Sequence, residues 1–262
     1  MNDLSGRIGF GEVGLSLVLV AVAVVISWRR KAGLEQDILV ATFRSFAQLL
    51  AVGFVLEWLF KGGRGWLTPF VLAVMVGTAT WTSGARGKGI PGARWIAAAA
   101  VSVAAASTLG VLLLLGIIPA EPRAAIPLGS MILSNAMNTA SLVMARLRDD
   151  LASHRREVEA RLSLGQTSAE ASADWHRTAM RTGLLPIVDN TKVVGLVALP
   201  GAMTGMILAG ASPTAAIRLQ MVVMYMLLAG NALSALVAGQ LTVRRLFTRD
   251  HQLIRSLRRV PS

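Results

Sequence analysis

Seven long apolar runs, parted by clusters of charge, constrain this chain before anything else: residues 10–28, 38–60, 66–81, 95–118, 124–145, 184–210 and 215–241. A helix rises 1.5 Å per residue, so about 20 apolar residues cross the roughly 30 Å hydrocarbon layer with every backbone polar group bonded inside the helix. Each run is near that length, the third being the shortest. With 54% hydrophobic and only 15% charged residues, the expected fold is all-α: an integral membrane protein of about seven transmembrane helices. Residues 1–262 then form a single polytopic membrane domain.

The charges set the orientation. Arg29, Arg30 and Lys31 follow the first run instead of preceding it, and no small-residue cleavage pattern comes after, so the run reads as a span and not a signal peptide. Lysine and arginine crowd alternate connections: residues 29–31; Arg86, Lys88 and Arg94; residues 146–181; and the tail with Arg244, Arg245, Arg249, Arg255, Arg258 and Arg259. Nineteen of the 26 basic residues fall on that side, against four (Arg7, Lys61, Arg64, Arg123) on the other. The positive side faces the cytoplasm, which puts the N-terminus outside and a basic tail, 242–262, inside a multi-pass protein of the cell inner (plasma) membrane.

The net charge of +12 is thus mostly orientation signal and affinity for anionic lipid. The basic loops lack interleaved aromatics, so the partner is membrane lipid and no nucleic acid is expected. The chain has no cysteine, which leaves no disulfide framework or thiolate site. A soft metal would have to meet Met, Asn, Gln, Asp or Glu.

Between the fifth and sixth runs lies a charged stretch that cannot sit in lipid. Leu147, Leu151, Val158 and Leu162 recur at three-to-four-residue spacing, while Arg148, Asp149, Arg155, Arg156, Glu157, Glu159 and Arg161 fill the other faces. That is an amphipathic helix ending at Gly165, the residue type that best tolerates a left-handed cap. Thr167 and Glu170 form a capping box that starts a second helix. The expectation is a cytoplasmic helical hairpin over 146–183, lying on its own membrane domain, offering a ridge to another protein, or serving as a solvated connector.

Polar residues inside the runs are the candidate path. Arg44 and Gln48 lie one turn apart on the second span; a charge there costs about 2.5–3.5 kcal/mol on insertion scales, so Arg44 should face protein or water unless it snorkels. Ser134, Asn135 and Asn138 sit near the middle of the fifth span among Met131, Met137 and Met144. Asp189 and Lys192, three apart in the sixth, can neutralise one another. Pro200 and Gly201 should kink that span, and Gly201 with Gly205 forms a G-x-x-x-G packing face, with a moving gate as the other reading. The seventh carries Arg218, near enough to the outer layer to pair with Glu57 or Glu12, and Gln220.

The Gly-rich loop 84–94 is not a phosphate cradle, because Ile90 and Pro91 stand where a helix start is required. His154, His176 and His251 show no ligand spacing and read as solvated.

Two resemblances then carry function. Glu159, Ala160, Leu164, Gly165 and Thr167 resemble the ATPase-docking loop of ABC transporter permeases, although the Leu-Pro that closes that loop arrives late, at Leu185 and Pro186. The longer likeness is to the FetB family of bacterial iron exporter permeases, related to plant aluminium-tolerance permeases. It rests on Leu34-Glu35-Gln36-Asp37, Arg44, Gln48, Ser134-Asn135-Ala136-Met137, Leu162-Ser163-Leu164-Gly165, Pro186, Val188, Asp189, Lys192, Val194 to Val197, Leu199-Pro200-Gly201, Met203, Gly205 and Gln220, and again on His251-Gln252-Leu253.

The resemblance implies a permease subunit, not an enzyme, with two copies joined to a separate cytoplasmic ABC ATPase that holds ATP and Mg. This chain itself binds no cofactor. Docking falls to Glu159, Leu162, Leu164, Gly165, Thr167 and Glu170. The substrate path comprises Arg44, Gln48, Asn135, Asn138, Asp189, Lys192, Met203 and Gln220, with Asn135, Asp189 and Met203 as candidate ligands if the cargo is iron or a related metal ion. Pro200, Gly201 and Gly205 serve gating or packing. The alternatives are ABC export of an organic solute such as a nucleotide sugar, and a gradient-driven secondary transporter using Asp189, Lys192 and Arg44.

Overall fold

The computed structural model describes residues 9–63, 65–248 and 250–254; Arg7, Arg64, Arg249, Arg255, Arg258 and Arg259 lie outside them. All regular elements among the described residues are helices, and the chain divides into two compact units, Met1–Gly65 and Trp66–Ser262.

The first unit is a pair of helices, α1 (Phe10–Arg30) and α2 (Glu35–Lys61), packed on each other. The turn between them places Lys31 and Gly33 at φ 52° and 70°. Buried Ser27 ties it: its hydroxyl donates to Glu35 Oε1 (2.8 Å) and accepts the Leu34 N–H (3.1 Å). Most other side chains of the pair are exposed, including Arg44 and Gln48. Glu57 pairs with Lys61 and Glu12 accepts the Gly9 N–H at 2.8 Å.

The second unit is a bundle of α3 (Thr68–Arg86), α4 (Ala93–Leu114), α5 (Pro122–Ser153), α6 (Arg155–Ser163), α7 (Ser168–Ala171), α8 (Ala173–Val193), α9 (Gly201–Leu208) and α10 (Pro213–Leu246). Its centre is α5 against α10, with α3, α4 and α8 packed around them. Small residues allow the close approach. Ala97, Ala100 and Ala104 of α4 and Ala136 and Ala140 of α5 are fully buried. At Gly183 of α8 an added Cβ would lie 2.5 Å from Val143 Cγ2.

Five helices are long and apolar enough to cross a membrane, by length and composition: α1, α2, α3 with the turn before it, α4 and α10. The fifth run lies within α5, whose serines, threonines and asparagines lower its apolarity. Of these, Thr139 and Ser141 are buried against other helices, so α5 need not be apolar all round. The sixth run is not one helix. It is shared between the end of α8 and the eight-residue α9, and Pro200 caps α9 instead of kinking a continuous span. Between them the chain turns through Gly195 (φ 83°), whose N–H donates to Ala198 O at 2.9 Å.

Candidate functional site

The charged stretch folds as a hairpin whose arms extend the bundle. α5 continues past the fifth run to Ser153, and α8 runs unbroken from the hairpin into the sixth run, through Pro186. Leu147, Leu151 and Val158 are fully buried and Leu162 packs against the same core. A stripe of this kind contributes roughly 1.5–3 kcal/mol per fully buried residue, so the hairpin is no loose connector: it is held on its own bundle.

The return arm supplies the other half of that core. Ala171, Trp175, Ala179, Gly183 and Ile187, each four residues from the last, are all buried along α7 and α8. Trp175 is the hub. The His154 ring lies 5.5 Å from it at a tilted angle and the Arg161 guanidinium 4.8 Å from its ring centre. Arg161 also bridges the arms, donating to Glu157 (2.8 Å) on its own helix and to Asp174 (2.9 Å) on α8. The Asp174 bond, with Glu157 behind it, raises the Arg161 pKa above the usual arginine value.

At the turn, Gly165 adopts φ 88° with open space around it, a conformation that glycine takes without steric cost. Thr167 and Glu170 make the expected capping box: Thr167 N–H and Oγ–H both donate to Glu170 Oε2 at 2.8 Å, and the Glu170 N–H donates back to Thr167 Oγ1 at 3.3 Å. These bonds from the Thr167 backbone and hydroxyl hold the Glu170 carboxyl below the usual carboxylate range. Glu159 pairs with Arg155 at 2.8 Å. Of the six expected docking residues, Leu164 is the large apolar side chain left in the open, 84% exposed at the tip.

His154 and His251 are exposed, each with a polar neighbour, while His176 is half-buried against another helix, which corrects the solvated reading for that residue. His154 Nδ1 lies 2.9 Å from the Asp150 carbonyl. His176 sits on α10 at Gly239, where an added Cβ would collide with its Nε2; that nitrogen is buried and unpartnered, and burial pushes the imidazole below the usual histidine range. His251 reaches α7 from the chain's last described segment.

The path residues of the second unit are less gathered. Asn138 accepts from Arg86 Nη1 at 2.9 Å, and Asn135 donates to the Met131 carbonyl at 2.9 Å in its own helix. Asp189 and Lys192 pair at 3.0 Å, both exposed. Gln220 is buried with its Oε1 unpartnered, and Met203 is half-buried on α9. Around Gly201 and Gly205 nothing among the described residues lies within 4 Å of an added Cβ, so neither glycine is required there by a close neighbour. Tight packing occurs instead at Gly183 and Gly239. Among the described residues no three His, Asp or Glu side chains are grouped to hold a metal ion.

Sequence reading missed a polar seam: the Thr139 hydroxyl lies 3.2 Å from Asn231 Oδ1 and 3.4 Å from the Gly183 carbonyl, and Ser234 donates to Ala136 O at 2.9 Å. It also missed the contacts of the loop 84–94, where Arg148 bonds the Lys88 carbonyl and Arg94 stacks 3.9 Å over Trp81. For Trp175 the four-residue spacing was the available signal.

Known proteins resemble this chain along nearly its whole length. The chain is 39% identical over 236 residues to the UPF0014 membrane protein STAR2 of Oryza sativa subsp. japonica (90% of this chain, 82% of the relative). It is 37% identical over 246 residues to Protein ALUMINUM SENSITIVE 3 of Arabidopsis thaliana (94% and 90%). To the protein named probable iron export permease protein FetB of Escherichia coli (strain K12) it is 39% identical over 243 residues (93% and 94%). No solved structure gives a significant match. The profile of the Uncharacterised protein family (UPF0014) matches residues 10–247, nearly the whole helical body described above, and the chain belongs to that family of membrane proteins.

Proposed function

We propose that this chain is the permease subunit of an ATP-driven exporter of the inner membrane, two copies working with two separate cytoplasmic ABC ATPase subunits, and that its cargo is iron or a related metal ion. The carrying observation is the hairpin. Its apolar residues are turned into a buried core, its charges are paired across the arms, and its glycine turn presents one exposed leucine, Leu164, on a rigid base. An exposed anchor on a rigid base fits the pocket of a partner motor. ATP and Mg would be held by that partner.

In this reading seven crossings leave the N-terminus outside and the hairpin 146–183 and tail inside. The break at 194–200 then bears on the path. Its exposed Leu196 and Val197 and its non-helical backbone are tolerated at membrane depth only against protein or a water-filled cavity. A second copy or the conduit itself would supply that. Candidate cargo ligands come from Asn135, Asp189, Met203 and Gln220. The absence of a carboxylate or histidine cluster among the described residues favours, as a second reading, an organic solute carried by the same machine.

The test is ATP hydrolysis by the chain co-purified with its ATPase in lipid, with and without ferrous iron. Iron-stimulated hydrolysis that disappears in Leu164→Asp supports both parts. A stable complex whose hydrolysis ignores every metal moves the cargo to an organic solute, and no complex at all leaves a gradient-driven carrier.

A further inference from the structure

The last described segment of the chain is folded onto the hairpin. Beyond α10, Phe247 and Leu253 form an antiparallel bridge, the Thr248 N–H donates to Gln252 O at 2.7 Å, and the Ile254 N–H donates to Leu246 O at 3.0 Å. Phe247 and Leu253 are 6% and 3% exposed and lie in the same core as Val158, Ala171 and Trp175. The turn is therefore anchored to both hairpin arms.

It delivers one side chain to α7. His251 has φ 54°, a backbone region few residues but glycine enter and in which histidine is over-represented. From there its Nδ1 accepts the Ser168 N–H at 3.1 Å, with the Ser168 hydroxyl 2.8 Å from the same nitrogen. A helix of four residues such as α7 is below the length that sustains itself, and its first N–H groups need outside acceptors. The Thr167 and Glu170 N–H groups are served by the capping box; that of Ser168 is served from 83 residues away. Nδ1 accepts such bonds through its ring lone pair.

We propose that His251 is a positioning residue for the docking turn, and that the segment 247–254 is part of the docking element rather than an appendage to α10. This rests on the docking reading above. Val158 and Arg161 fix the α6 side of the exposed tip; His251 fixes the α7 side. Without it α7 frays and Leu164 loses its set position.

The experiment uses the full chain in lipid nanodiscs, with and without its ATPase, as wild type, His251→Ala and His251→Asn. Asparagine tolerates the left-handed backbone and places a carbonyl oxygen close to where Nδ1 sits. Amide exchange at residues 168–171 should rise about tenfold in His251→Ala, the loss of roughly one net hydrogen bond, and return in His251→Asn. The ATPase concentration for half-maximal stimulation should rise several-fold in His251→Ala with the maximal rate kept, and recover with asparagine.

Unchanged exchange in His251→Ala overturns the brace. Raised exchange with unchanged ATPase affinity overturns its role in docking. A wild type that binds no ATPase defeats the docking reading itself, which the exchange measurement on the permease alone distinguishes. If His251→Ala does not accumulate, Ser168→Cys with His251→Cys in this cysteine-free chain should be bridged by a short bis-maleimide, and failure to bridge overturns the placement.

Discussion

Replacing Gly183 by alanine adds one methyl group at the tightest contact between α5 and α8. That carbon would stand 2.5 Å from Val143 Cγ2 and 3.3 Å from the Thr139 carbonyl oxygen, where ordinary carbon contacts lie near 3.5–4.0 Å. About 1 Å must be found. Val143 is fully buried, and a β-branched side chain on a helix has essentially one χ1 rotamer, so it cannot swing aside and the helices must part. Overpacking of this kind costs about 1–3 kcal/mol. The Thr139 hydroxyl contacts to Gly183 O and Asn231 (3.4 and 3.2 Å) lie on the same seam and would lengthen, at about 0.5–1.5 kcal/mol each.

Alanine's better helix propensity returns roughly 1 kcal/mol, so the expected net loss is about 1–5 kcal/mol. Gly110 of α4 has nothing within 4 Å of an added Cβ; the same substitution there should be neutral or gain up to about 1 kcal/mol. The assay is reversible unfolding in mixed micelles followed by tryptophan fluorescence. The double variant Gly183→Ala with Val143→Ala should cost less than the two single losses added, because the second change vacates the clash. A Gly183→Ala protein as stable as Gly110→Ala would refute the reasoning.

Gly165→Val meets no atom but forces a β-branched residue to φ 88°, at about 1–2 kcal/mol; partner-coupled ATPase activity should fall sharply, and less with Gly165→Asn. His176 gives a pH dependence with a definite sign. Burial lowers its folded-state pKa below 6.5, so the unfolded chain binds a proton first and stability falls as pH drops from about 6.5 toward that lower value. Thermal denaturation between pH 7.5 and 5.5 should show this decline, and His176→Phe should flatten it.

The linear sequence determined what repeats along it. Apolar runs mark the helical body, four-residue spacing marks the stripe Leu147, Leu151, Val158 and Leu162, and Thr167 with Glu170 marks a capping box, because these depend on neighbours within a few residues. Asp189 and Lys192 pair as their spacing of three requires. Only tertiary structure decided the rest. Gly201 and Gly205 form the more recognisable packing motif, yet Gly183 and Gly239 are where helices meet, because the need for a missing Cβ is set by the facing helix. Pro200 interrupts the sixth run where Pro186 is carried inside α8. His251 looked like one more solvated histidine; it reaches Ser168, 83 residues away in sequence, because burial of Phe247 and Leu253 folds the segment 247–254 back onto the hairpin, a contact that no local pattern encodes.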